Sequence, residues 1–156
     1  MSPVKFLAAI DHLTATADPG TGSVGEVYFN TTNGLLRIHN GTSWTYANEW
    51  IIPFAFNGTL QVRTGALRIY NDTGSPWVIV GARAYVNTAP TGAAAVFTVK
   101  ENGASAFTLT VAAAGNTVTA TPGTVIESGN YITVDVTQIG STVAGADATV
   151  VLTVAS

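Results

Sequence analysis

Charge is what this chain has least of. Asp, Glu, Lys and Arg make up 10% of it, against about 25% in an ordinary soluble domain. The six basic residues are scattered and the formal net charge is -3. Phosphate recognition needs gathered Lys and Arg, so no nucleic-acid partner is expected. Cysteine is missing altogether, which removes disulfides and thiolate metal sites. No apolar run approaches the roughly 20 residues of a membrane-spanning helix, so no membrane insertion is expected. Near the N-terminus only Phe6 to Ile10 is apolar before Asp11. That run is too short for a signal-peptide core, and synthesis in the cytoplasm without export follows as the expectation. The Asn-x-Thr sequons at Asn30, Asn40, Asn57 and Asn71 then read as turn chemistry, because Asn favours tight turns.

Groups that could do chemistry are equally sparse. His12 and His39 are the only histidines. Asp11 adjoins His12, but neighbours in extended chain point apart, and His39 alternates with Ile38 as an outward hairpin residue. No Gly-x-Ser-x-Gly elbow is present to carry a serine nucleophile. Asp72, Glu101, Glu127, Asp135 and Asp147 lack the close spacing of a calcium loop, and a solvated strand face accounts for Asp135. Gly20, Gly22 and Gly25 are followed by no Lys-Ser or Lys-Thr, so they make no phosphate loop. The expectation is no catalytic residue, no cofactor and no metal.

What the chain does have is alternation. In Tyr131 to Ile139, Ile132, Val134 and Val136 fall on one face, and Tyr131, Thr133, Asp135 and Thr137 on the other; Val150, Leu152 and Val154 repeat the pattern. A strand pair with one apolar face needs a second sheet to cover it. Further strands are predicted at Leu60 to Arg63, Leu67 to Tyr70, Trp77 to Val86, Ala95 to Lys100, Ala104 to Val111, Thr117 to Thr119 and Ala148 to Val154, separated by Gly-, Pro- and Asn-rich turns. The fold class is therefore all-β: a jelly-roll-like antiparallel β-sandwich over residues 54–156, with an Ig-like strand order as the alternative. Before it, residues 1–50 form an N-terminal arm and a β-hairpin. Pro3 to His12 reads as extended chain or one to two helical turns. Glu26 to Asn30 and Leu35 to His39 flank an Asn33-Gly34 turn, and Asn40-Gly41 leads into Trp44 and Tyr46.

Several of these segments resemble a known group. Asn71 to Gly74, Thr88 to Gly92, Val99 to Gly103 and Tyr131 to Asp147 resemble a β-sandwich module found in tail and head accessory proteins of tailed bacteriophages, the likeness covering residues 55–156. Gly25 to Trp44 is similar to short hairpins near the start of phage fibre and tail proteins. The resemblance implies a virion location and a structural role, with three-fold assembly as the habit of such sandwiches. The leading expectation is a homotrimeric capsid decoration protein bound to the major capsid protein or another virion protein. A tail or tail-tip protein that binds the host surface, with a surface glycan as partner, is the alternative.

Two residue sets carry that expectation. A hairpin alone is marginal in water, so residues 1–50 are read as the attachment region, with Trp44 and Trp50 as capsid anchors. The segment Trp77 to Val86 is apolar on both faces, whereas a sandwich core covers only one. Trp77, Ile79, Arg83 and Tyr85 are therefore read as the trimer interface.

Overall fold

The computed structural model describes residues 13–156; the expectations for Pro3 to His12 fall outside them. Every regular element among these residues is a β-strand, and the chain divides into two units, Met1–Asn48 and Glu49–Ser156.

The described residues of the N-terminal unit hold four strands, β1 (Leu13–Ala15), β2 (Val27–Asn30), β3 (Leu35–His39) and β4 (Trp44–Tyr46), in the sheet order β1-β2-β3-β4. The hairpin read from the sequence is its centre. It gains β1, which pairs with β2 in parallel, and β4, antiparallel to β3. Local chemistry sets the turns. The Asn30 side-chain oxygen accepts the Thr32 N–H at 2.9 Å, and Gly34, at φ 70°, closes the turn by donating its N–H to the Asn30 carbonyl at 2.8 Å. Asn40 accepts the Thr42 and Ser43 N–H groups at 2.9 Å each. Asn71 accepts from the Thr73 N–H in the same way. In three of the four sequons, then, the asparagine caps the turn that contains its own threonine.

The C-terminal unit is an antiparallel β-sandwich. Its strands are β5 (Glu49–Thr59), β6 (Ile69–Tyr70), β7 (Trp77–Thr88), β8 (Ala95–Glu101), β9 (Ala104–Val111), β10 (Thr117–Ala120), β11 (Thr124–Ile126), β12 (Tyr131–Gln138) and β13 (Ala146–Ala155). One sheet has the order β10-β7-β13-β5, with β11 also paired to β7; the other runs β6-β12-β8-β9. The pairings are nested: β5 with β13, β6 with β12, β7 with β10 and β11, and β8 with β9. The innermost turn is Asn102-Gly103, both at positive φ, as a two-residue hairpin requires. Phe54, Phe56, Ile79, Ala84, Val86, Val150 and Leu152 from the first sheet meet Phe97, Val99, Leu109, Ile132, Val134 and Val136 from the second in one buried cluster.

Two boundaries differ from the sequence reading. The sandwich begins at Glu49 rather than residue 54, because β5 pairs with β13 from Glu49 through Thr59. Pro53 obscures this strand in the sequence, yet β5 is the edge of its sheet, where a missing N–H costs no ladder bond. Conversely, Leu60 to Arg63 is not a strand. Arg63 makes a single bridge to Val136. Beyond it the Gly65 N–H turns to the Asp135 carboxylate, at 2.8 Å, instead of a backbone carbonyl.

Candidate functional site

The outer face of the β10-β7-β13-β5 sheet is a surface the C-terminal unit offers a partner. Backbone register aligns its outward side chains in rows: Ile51, Thr153 and Gly81; then Pro53, Val151, Arg83 and Thr119; then Ala55, Thr149, Tyr85 and Thr117. Ile51 is 64% exposed and Tyr85 45%. Arg83 is the only charged side chain in these three rows, and it makes no ion pair among the described residues. Exposed Ile, Tyr and Thr beside half-buried Val151, with so little charge, is the composition of a surface that tolerates desolvation.

A bulge decides which residues reach this face. Thr153 pairs with Gly81, but Val154 pairs with Ile79, leaving Val80 as an extra residue. Each bulge residue reverses the alternation of the strand beyond it. Trp77 and Ile79 therefore point into the core on one side of Val80, while Ala82, Ala84 and Val86 do so on the other. This corrects the interface set. Ile79 is fully buried and Trp77 nearly so within their own sandwich, so neither offers a surface to another copy. Arg83 and Tyr85 do lie on the open face.

The tryptophan anchors also change. Trp44 is buried in the N-terminal unit, where its indole N–H donates to the Pro19 carbonyl at 3.0 Å and its ring meets Tyr28 edge-on at 4.9 Å. Trp50 belongs to β5 and is half-buried against the sandwich core, its ring at 82° to that of Trp77. Trp44 thus has its indole N–H engaged within its own unit, and Trp50 is half-covered by its own sandwich. Among the described residues of the N-terminal unit, Phe29 and Leu36 form an exposed apolar pair instead, directly opposite one another on β2 and β3. Both alternate with buried neighbours along their strands, a pattern of period two that the sequence carries.

Polar side chains inside the N-terminal unit form a structural network. The Tyr28 hydroxyl donates to Asp18; Arg37 donates to the same carboxylate at 2.9 Å and to the Trp44 carbonyl at 2.8 Å, and stacks on Tyr46 at 3.9 Å. Burial, then the bond to Asp18 and that carboxylate's charge, push the Tyr28 phenol above its usual range. His39 is buried rather than outward, its Nδ1 accepting the Gly41 N–H and its ring packed edge-on to Trp44. Asp135 is likewise not on a solvated face. It is buried with Lys100 at 2.6 Å and the Gly65 N–H. Among the described residues no three His, Asp or Glu side chains cluster as metal ligands.

One recess lies at the sandwich edge, between β5 and the segment 63–67. Phe54, Phe56, Leu67 and Val134 line it and the Arg63 guanidinium sits over the Phe56 ring. No protein-family model, curated protein or solved structure matches the chain.

Proposed function

We propose that this chain is a structural protein of a bacteriophage virion, a capsid decoration protein that works as a homotrimer. The observation that carries the assembly part is the open sheet face of Ile51, Pro53, Ala55, Val151, Arg83 and Tyr85, which holds one charge in three rows. Subunits meet there, with Arg83 and Tyr85 at the contact. The nested strand pairs are read as a jelly roll, two Greek keys closed on one core, a scaffold that leaves its sheet faces free for packing. The virion assignment rests on the sequence resemblance. In this reading the N-terminal unit attaches to the major capsid protein or another virion protein through Phe29 and Leu36, in place of the tryptophans. Many copies binding only the assembled shell would each add a small stabilisation to it.

Sedimentation equilibrium of the purified chain tests the assembly step: three copies are expected, and a monomer at micromolar concentration overturns it. Mixing with undecorated capsids and, separately, with host cells tests the location. Capsid binding that Phe29→Ser with Leu36→Ser abolishes is the expected result. Binding to cells, and not to capsids, would make a host-binding tail-tip protein the better reading.

A further inference from the structure

The recess at the sandwich edge points to a ligand. Its volume is about 190 Å³, and its walls are Phe54, Phe56, Leu67 and Val134, with Arg63 as the one charged lining residue. An apolar cavity of about 150 Å³ is enough to hold benzene, so a ring or short branched alkyl group fits. On the other side of Arg63 a second hollow, also about 190 Å³, is lined by Asn57, Thr59 and Gln61. Arg63 thus stands between an apolar hollow and a polar one. It is exposed and makes no ion pair among the described residues. Its guanidinium rests 5.1 Å from the centre of the Phe56 ring, which orients the fork without using its hydrogen-bond donors.

The wall that carries Arg63 is fixed rather than mobile. Arg63 and Val136 exchange both backbone hydrogen bonds at 2.9 Å. Two residues on, Gly65 packs so closely on β12 that a Cβ there would lie 2.2 Å from the Val134 carbonyl oxygen. Its N–H is held by Asp135, itself paired with Lys100. A preformed recess loses little ordering entropy on binding.

We propose that this recess binds a small monocarboxylate with an apolar group beside the acid: the apolar group enters between Phe54, Phe56 and Leu67, the carboxylate takes the Arg63 fork, and any hydroxyls reach Asn57, Thr59 and Gln61. One guanidinium matches one planar carboxylate, and a chain of net charge -3 repels more heavily charged anions. The recess shares only Ala55 with the open sheet face, so ligand binding there and subunit assembly are tested separately. Such an acid occurs free, as an aryl carboxylate, or as an N-acylated acidic sugar within a glycan. The apolar hollow then takes the ring or the acyl methyl.

Amide chemical-shift titration of the full chain with phenylacetate, N-acetylneuraminic acid and, as the uncharged control, benzyl alcohol tests the proposal. At least one of the two acids is expected to shift the amides of Arg63, Gly65, Leu67 and Asn57 with millimolar affinity. Phenylacetate alone identifies a free aryl acid, and the sugar acid a glycan source. Benzyl alcohol and the variant Arg63→Gln should each bind about tenfold more weakly, the loss of one charge-assisted contact. Arg63→Lys, which keeps the charge but not the fork, should fall between. Failure of both acids to move these amides overturns the proposal, as does undiminished acid binding by a folded Arg63→Gln or Arg63→Lys chain.

Discussion

Val154 lies opposite Ile79, although its neighbour Thr153 lies opposite Gly81. The residue skipped between them, Val80, turns one strand that looks apolar on both faces into two half-strands, each burying a different parity of residue. Ile79→Asp should therefore unfold the sandwich rather than merely separate subunits, because it puts a charge at a fully buried position, costing several kcal/mol. Tyr85→Asp, on the open face, should leave the denaturation midpoint nearly unchanged and lower the sedimenting mass instead. A folded Ile79→Asp chain of reduced mass would restore Ile79 to the interface.

The Tyr28 phenol gives the N-terminal unit a dependence on alkaline pH. Its folded pKa is raised above the ordinary phenol value of 10.0, so between the unfolded and folded values the native state holds a proton that the unfolded state has lost. Stability contributed by this group is complete below pH 10 and falls as pH rises through the folded value. Tyr28→Phe should flatten that fall at a cost of about 1 kcal/mol at neutral pH, since Asp18 loses a donor. Thermal melts across the alkaline range, read at the N-terminal unit, would show an unchanged slope in the variant if the assignment were wrong.

Asn71 is fully buried and its amide donates to the carbonyls of Ser75 and Ile126, both at 2.9 Å. Asn71→Asp keeps the shape but removes both donors, so the Ser75 and Ile126 carbonyls lose those bonds beside a new charge. The expected loss is roughly 2 to 3 kcal/mol in chemical denaturation. A loss below 0.5 kcal/mol would mean water replaces the amide without penalty.

Gly140 lies in the loop before β13, where an added Cβ would fall 1.7 Å from the Val143 carbonyl oxygen and 2.8 Å from the Thr91 nitrogen. Gly140→Ala should push this loop off its bridge to Thr91 and cost roughly 1 to 3 kcal/mol. Gly123→Ala, at positive φ but in open space, should cost less. Equal midpoints for the two variants would show that the loop relaxes freely.

The strands legible in the sequence were those whose side chains alternate without interruption. Tyr131 to Ile139 and Ala148 to Val154 fall within a few residues of β12 and β13 because each has a plain period of two, and Asn102-Gly103 marked its hairpin because few dipeptides reach positive φ so easily. β5 escaped because Pro53 argues against a strand unless the strand is known to be an edge, and sheet order is not local information. The Trp77 to Val86 segment is apolar on both parities, but periodicity cannot distinguish a second apolar face from a bulge.

What the sequence alone determined is the class of the protein: all-β, short strands, turns built by Asn and Gly, and too little charge to cover an ordinary surface. Backbone propensity and alternation are set residue by residue, so they survive without knowledge of the fold. Tertiary structure alone decided which side chains are free. The tryptophans read as anchors are buried or half-buried, His39 and Asp135 are enclosed, and the side chains left exposed include Phe29, Leu36, Ile51, Arg63, Arg83 and Tyr85. Exposure depends on which distant strand arrives to cover a residue, and that is fixed by pairings such as Val154 with Ile79, some 75 residues apart.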